Sequence, residues 1–389
     1  MRLAERMDRL GTENAFEAAA RARALEATGR DVIHLEIGEP DFDTPANIRA
    51  AAQRALDQGW THYGPAVGLP ALREAIAADA TARKGFTVHP GRVIVTPGAK
   101  PIMFYTIMAL VDDGEEVIYP DPGFPIYESM TRFVGGRPVP LPLRMEHGFR
   151  LDPDELARLV TPRTRMLILN SPANPTGGVL TRDDLERIAT VARERDLIVL
   201  ADEIYGRILY EGEHVSIASL PGMADRTIVL DGFSKTYAMT GWRLGYAIVP
   251  ETLVAPISRL IINSVSCTSA FSQVAAVEAL TGPQDEVEAM VAEFRARREL
   301  IVDGLNSIRG VRCLKPSGAF YVFPDISETG LSGAELADRL LLEAGVSVLA
   351  GTAFGDVGWH HIRISYANSR ERISAALERM RAVIEPLVV

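Results

Sequence analysis

The 389-residue chain is 47% hydrophobic and 24% charged, with 41 Lys and Arg against 51 Asp and Glu, a formal charge of −10. That length allows a large core and two domains, and the acidic balance argues against broad attraction to nucleic acid or to an anionic membrane. No apolar run approaches the roughly 20 residues of a bilayer crossing, the mixed-charge start Met1–Leu10 lacks a signal-peptide core, and the two distant cysteines, Cys267 and Cys313, fit a reducing cytoplasmic setting.

The first 30 or so residues read as a helical arm, followed by a short strand at Val32–Leu35 and a turn over Gly38–Pro45. Thr44 and Pro45 read as cap and first position of a helix whose apolar stripe is Ile48, Ala51, Ala52, Ala55 and Leu56. From about residue 90 the pattern becomes strand, turn, helix, repeated. Strands are expected at Val93–Thr96, Glu116–Tyr119, Met166–Leu169, Leu197–Leu200, Ile228–Leu230 and Gly245–Val249. Short continuous apolar runs separated by helical spans favour an α/β sheet covered on both faces. After about residue 285 a charged helical stretch leads to further strands at Gly318–Phe323 and His361–Ser365. The expected division is an arm contributing to a small domain over 1–45, a large domain over 46–285, and a C-terminal small domain over 286–389.

Polar residues recur just beyond the strand ends, the edge where open α/β sheets bind ligands. Lys235 follows the run Thr227–Leu230 within Asp231-Gly232-Phe233-Ser234-Lys235-Thr236, a poor place for a solubilising lysine and a good one for an imine-forming nucleophile. Asp202, after Leu197–Leu200, suits a protonated pyridine nitrogen, with a helix cap as its ordinary alternative. Asn174 and Tyr205 are candidates for a ring hydroxyl, although Asn174-Pro175-Thr176-Gly177 is also a good turn. Gly98-Ala99-Lys100 offers backbone N–H groups at a helix start for a phosphate, and Arg243 a charged fork. Phe124 is placed to stack on a ring or to serve as core, and Arg363 to clamp a substrate carboxylate or pair with a local acid. Together these supply what pyridoxal phosphate needs: an amine, an acid for the ring nitrogen, phosphate donors and a surface against the ring face.

Other cofactor motifs fit worse. Lys235-Thr236 ends like a phosphate-binding loop, but Val229 and Ser234 stand where that pattern requires glycines. There is no HExxH, no paired CxxC and no early GxGxxG, so no metal is expected. Of seven histidines only His360 and His361 adjoin, and neighbours on a strand point to opposite faces.

From Gly38-Glu39-Pro40-Asp41-Phe42 to Arg363-Ile364-Ser365-Tyr366 the sequence resembles the class I/II aminotransferases of pyridoxal-phosphate fold type I, especially the bacterial aspartate aminotransferase-like group. The most specific matches are Ser234-Lys235-Thr236, Gly241-Trp242-Arg243-Leu244-Gly245, Asn174–Gly177 and Asp202-Glu203-Ile204-Tyr205. The resemblance implies a large domain with a mostly parallel central sheet covered by helices, plus a smaller α+β domain. It implies that pyridoxal 5'-phosphate bonds to Lys235, with Asp202 on its ring nitrogen, Asn174 and Tyr205 on its hydroxyl, and Phe124 against its ring. Gly98, Ala99, Lys100 and Arg243 would hold the phosphate, the first three through the backbone. Tyr63 would reach the phosphate of a neighbouring subunit in a homodimer with shared sites. Arg363 would clamp the substrate α-carboxylate, and Gly38 would approach the substrate through its backbone. Gly232 stands where some relatives have a phosphate-binding serine, Phe124 where some have tryptophan or tyrosine, and Ala350 where many have proline. None of these departures removes an essential chemical group.

The implied activity moves an amino group from an L-amino acid to a 2-oxo acid in two half-reactions. Aspartate or glutamate with 2-oxoglutarate or oxaloacetate comes first, and aromatic or alanine/branched-chain amino acids next. A pyridoxal-phosphate-dependent C–S β-lyase shares the same early chemistry. A dicarboxylate enzyme needs a second cation near the substrate side chain; Arg259, Lys315 and Arg312 are the candidates in sequence, without a means of choosing, while Met103, Phe104, Phe320 and Tyr321 are placed to shape a pocket or to serve as core.

Overall fold

Alternation along the apolar runs decides the architecture. In the computed structural model, which describes residues 2–388, the strands are β1 (Ile33–His34), β2 (Val93–Thr96), β3 (Glu116–Asp121), β4 (Arg137–Pro142), β5 (Thr164–Asn170), β6 (Ile198–Asp202), β7 (Thr227–Gly232), β8 (Gly245–Ile248), β9 (Tyr321–Val322), β10 (Val346–Ser347), β11 (Leu349–Ala350) and β12 (Ile362–Ser365). Seven of them form one sheet in the order β2-β8-β7-β6-β5-β3-β4, parallel except for the two antiparallel pairings of β8. Successive residues go to opposite faces: Met166 and Ile168 join one buried cluster, Leu167 and Leu169 another. Both faces are dry, which is why these strands read as unbroken apolar runs.

Strand β4 has the sequence Arg-Pro-Val-Pro-Leu-Pro and is absent from the sequence-based expectation. Its prolines alternate, and it lies at the sheet edge, paired only with β3. Arg137 and Leu143, in phase with Val139 and Leu141, donate their N–H groups to Glu115 and Asp121 of the β3 segment. The proline nitrogens therefore sit on the side that has no ladder to complete.

The remaining strands make two small sheets, β11-β12-β9 antiparallel and β1-β10 parallel, and Ser365 N–H donates to Leu35 O at 2.8 Å to join them. The helices Asp285–Asn306 and Arg370–Ile384 pack Phe294, Ile301 and Leu305 with Ile373, Ala376 and Met380. The N-terminal helix Asn14–Glu26 leans on the same side, with Ala22 packed against Val32 and Leu341 and Arg21 paired to Asp338 at 2.7 Å.

Three local expectations are corrected. The strand expected over Gly318–Phe323 shrinks to Tyr321–Val322, because Ala319 takes φ 58° and the Ser317–Ala319 backbone bonds instead to Ile208 and Tyr210. Thr44 does not cap the helix Ala46–Asp57; Pro45 holds that position, and the Thr44 hydroxyl donates to Ala238 O at 2.7 Å while accepting from Trp242 Nε1 at 2.9 Å. Leu56, counted in that helix's apolar stripe, is 47% exposed.

Candidate active site

The parallel order of β2, β7, β6 and β5 brings their C-terminal ends to one edge, and the reversed β8 begins there. Asn170 ends β5, Asp202 ends β6, and Lys235 lies three residues beyond β7. Arg243 precedes β8, and Gly98 to Lys100 follow β2. These segments border a cavity of about 540 Å³, into which Gly38, Ala99, Lys100, Phe124, Asn174, Asp202, Tyr205, Lys235, Arg243 and Arg363 all project. Two of the residues expected to hold the cofactor stand apart. Tyr63 lies 91% exposed on the outside of the chain, and Gly98 lies behind the cavity wall.

Gly98 serves the site through its lack of a side chain. Its φ is +90°, and a Cβ there would lie 2.3 Å from the Arg243 guanidinium. Its N–H donates to Thr96 O at 2.8 Å, so the amide expected for an anion is already engaged. The helix Lys100–Leu110 starts at Ala99 without a side-chain cap, which leaves its first N–H groups facing the cavity beside Arg243.

Asp202 is buried, accepting from Tyr127 OH at 2.7 Å and from Ile204 N–H at 3.2 Å. Burial pushes its pKa up to about 6 against the pull of those two hydrogen bonds. Arg363 is buried as well. Its guanidinium donates to Glu36 O and, at 3.4 Å, to Asn174 Oδ1, lies between the rings of Tyr321 and Phe354, and leaves Nε without a partner. Among the described residues it forms no ion pair with a carboxylate. One cavity thus holds an anion without a cation and a cation without an anion, an arrangement whose cost a ligand carrying both charges removes.

Lys235 Nζ donates to Gly38 O at 2.6 Å. Burial lowers its pKa to about 8; Glu39 opposes that, and Arg363 and Lys100 add to it. A neutral amine is therefore accessible near physiological pH. Gly38 owes its identity to a close approach, since a Cβ there would lie 2.0 Å from Tyr321 OH. That hydroxyl is 2.8 Å from Tyr205 OH, and burial raises the pKa of Tyr205 well above the usual phenol value.

Tyr321, placed in sequence to shape a pocket or to serve as core, borders the cavity beside Arg363. Tyr127, fully buried on the helix Ile126–Phe133 beside Phe124, reaches the site only through Asp202 and is indistinguishable in sequence from a core aromatic. Other residues of the lining have no role in the sequence-based site. Ser234 stands in the Ser-Lys-Thr motif itself, whereas Glu13, Phe16 and Glu39 reach the cavity from distant segments. Met103 lines the cavity; Phe104 packs against Phe133 and Phe320 is fully buried. Among the candidate second cations, Lys315 pairs with Glu299 at 2.7 Å, Arg312 lies 3.6 Å from Asp325, and neither they nor Arg259 borders the cavity. His361 stacks on Phe323 at 4.8 Å, and the described residues contain no group of three His, Cys, Asp or Glu side chains able to hold a metal. No helix among them is long and apolar enough to cross a membrane.

Several known proteins are similar to this chain over almost its whole length. An aspartate aminotransferase of Pyrococcus abyssi is 45% identical over 364 residues, covering 92% of this chain and 93% of the relative. Aromatic-amino-acid aminotransferase 2 of Thermococcus litoralis is 42% identical over 389 residues, with 99% of both chains covered. The solved structure of the Thermus thermophilus aspartate aminotransferase with maleate superposes with a TM-score of 0.95 at 40% identity, over 98% of this chain and 100% of that one. Residues 30–380 match the family described as aminotransferase class I and II. The chain belongs to the class I and II aminotransferase family and has its fold type I architecture.

Proposed function

We propose that this aminotransferase uses pyridoxal phosphate bonded to Lys235, with aspartate or glutamate as amino donor and 2-oxoglutarate or oxaloacetate as acceptor. The observation that carries the reading is the lowered amine of Lys235 in a cavity shared with unpaired Asp202 and unpaired Arg363. When bound, pyridoxal phosphate supplies an aldehyde that condenses with amines and a ring that accepts the electron pair left on the substrate α-carbon.

Asp202, its Oδ2 held by Tyr127, would hold the ring nitrogen and favour its protonated form. Tyr205 and Asn174 take the ring hydroxyl, and Phe124 takes the ring face. The free amides of Ala99 and Lys100, the Ser234 hydroxyl and the Arg243 fork hold the phosphate. Arg363 receives the substrate α-carboxylate through its NH groups, already oriented by Glu36 O and Asn174. Lys235 lines the same cavity as Arg363 and would serve as the base for the substrate's α-hydrogen. The neutral amine would take a proton from the α-carbon and later give it back, and its lowered pKa suits both directions.

The same reading assigns Tyr63 to the phosphate of a second subunit in a homodimer. It is supported by the exposure of Tyr63 at 91% and by exposed Met108 and Ile262 on two helices that pack together. A cytoplasmic location and the domain limits at 45/46 and 285/286 belong to this proposal. Titrating the purified enzyme with single amino acids while recording the cofactor's visible absorption tests the activity. A change with aspartate or glutamate that 2-oxoglutarate reverses supports transamination. Pyruvate and ammonia released from a cysteine conjugate without an acceptor would replace it with the β-lyase reading.

A further inference from the structure

Four cationic side chains line the cavity, and three have duties in the reading above: Lys235, Arg243 and Arg363. The fourth, Lys100, enters the site twice. Its backbone stands at the helix start, but its side chain extends along the cavity so that Nζ lies 5.5 Å from the ring centre of Phe124 and 5.7 Å from that of Phe16. It is not free there. Glu13 Oε1 forms an ion pair with Lys100 Nζ, with the glutamate side chain only 14% exposed. Glu13 arrives from the segment just before the helix Asn14–Glu26, and that segment is tied to the helix Ile126–Phe133 by the Gly11 N–H bond to Ser129 Oγ at 2.9 Å.

The pair has a direct consequence for substrate choice. A second carboxylate on the substrate needs a cation at the side-chain end of the cavity, and Lys100 is the one cation of the lining that the proposed chemistry leaves over. Its partner is already a carboxylate on a short aliphatic stem, chemically the same group that the side chain of aspartate or glutamate presents. Admitting such a substrate with Glu13 in place would put two carboxylates on one ammonium, a repulsion that the half-buried setting screens poorly. A neutral or aromatic side chain leaves the pair intact and packs on Phe16 and Phe124.

We propose that Glu13 is a built-in counter-ion that occupies the distal-carboxylate position on Lys100 and must be displaced by dicarboxylic substrates, whereas neutral and aromatic amino acids bind over the closed pair. The inference rests on the aminotransferase reading of the same cavity and adds a specificity-determining residue to it. It makes the enzyme one of mixed specificity, with a handicap toward aspartate and glutamate set by a residue distant from Lys235 in the chain but in the same cavity.

The decisive experiment uses the holoenzyme and two unreactive ligands, succinate, which carries the second carboxylate, and propionate, which does not. In Glu13→Gln the amide no longer competes for Lys100, and succinate should bind about tenfold tighter, the effect of one released charge pair. Propionate affinity should change less than twofold, and kcat/KM for aspartate should rise while that for alanine holds. In the double variant Glu13→Gln with Lys100→Met the succinate gain should vanish, tying it to the ammonium. Unchanged or weaker succinate binding in Glu13→Gln overturns the proposal, and so does a gain that survives Lys100→Met. If no amino acid is transaminated, the activity reading falls, while the succinate comparison still decides the role of Glu13.

Discussion

Tyr127 donates its hydroxyl proton to Asp202 Oδ2 across 2.7 Å, both groups buried, with Asp202 bordering the cavity and Tyr127 packed behind it. The bond opposes the desolvation that drives the Asp202 pKa up to about 6. Tyr127→Phe keeps the ring and deletes the donor, so the carboxylate rises further and is protonated over more of the working range. The acid limb of kcat/KM should move to higher pH, and kcat at neutral pH should fall about tenfold, with stability lower by about 1–3 kcal/mol. An acid limb that stays in place would separate Tyr127 from Asp202 function.

Asp202 itself carries a stability cost in the cofactor-free protein. Its folded pKa, about 6, lies above the ordinary 3.8, so between those values the folded state binds more protons than the unfolded one. Stability from this group is therefore greatest at acid pH and declines as pH rises through about 6. Asp202→Asn removes the charge and keeps the shape. The apo variant should be as stable as the wild-type apo protein at pH 7.5, or more stable by up to about 3 kcal/mol, while kcat drops by roughly 100-fold or more. Thermal melts of both apo proteins at pH 5 and pH 7.5 provide the check: the difference should grow with pH.

Arg363 is held by a backbone carbonyl, an asparagine and two rings, none of which neutralises it. Arg363→Lys preserves the charge but loses the fork and the stacking, so it is not a conservative change here. Burial already lowers the pKa of the arginine, and a lysine there would surrender its proton more easily. kcat/KM for every amino acid should fall by about 100-fold, mostly through KM, and propionate should lose affinity in parallel. A loss confined to dicarboxylic substrates would place Arg363 at the other end of the substrate.

Legibility in the sequence followed the range of the interaction. The buried parallel strands announced themselves as apolar runs, and Asp202, Asn174 and Lys235 follow those runs closely enough that the strand ends placed them together. Tyr127 is hidden because a buried hydroxyl bonded to Asp202 leaves no mark in sequence that an ordinary core tyrosine lacks, and for the same reason Tyr321, bonded to Tyr205, reads there as pocket or core alike. Strand β4 was hidden by its prolines, which exclude an interior strand but not this edge. Gly98 was noticed for its amide, whereas its closeness to Arg243 depends on a turn almost 150 residues away in the chain. The ion pair of Glu13 with Lys100 spans two segments with no shared pattern, and only the packed fold brings them together.

Lys235 is the plainest test of the chemistry. Lys235→Ala removes the amine from Gly38 O and leaves the Asp202, Arg243 and Arg363 sites untouched. Turnover should fall by at least about 10⁴-fold, because the covalent and proton-transfer duties disappear together. Added methylamine should restore part of the rate if proton transfer is what the alanine lacks, and turnover near the wild-type level would remove Lys235 from the mechanism.

Beneath the cavity Lys84 Nζ is clamped between Glu203 Oε2 at 2.7 Å and Asp231 Oδ2 at 2.9 Å, with Ser216 at 2.6 Å and His214 at 3.0 Å also on Glu203. Glu203 follows Asp202 and Asp231 lies four residues before Lys235, so this one ammonium pins the ends of β6 and β7 to each other. The surrounding cations hold the Glu203 pKa down to about 2, below its ordinary 4.5. The stability it contributes is therefore fully present above 4.5 and is lost as pH falls toward about 2. Lys84→Met strands two buried carboxylates and should cost about 3–5 kcal/mol at neutral pH. With its main cation gone, Glu203 should no longer be held low, so the wild-type loss of stability between pH 4.5 and about 2 should flatten in the variant or reverse, and urea midpoints measured across that range would show it. Adding Glu203→Gln to Lys84→Met removes one stranded charge and should recover part of the loss, whereas a double variant no more stable than the single would mean that packing around the lysine stem, rather than charge, joins the two strands.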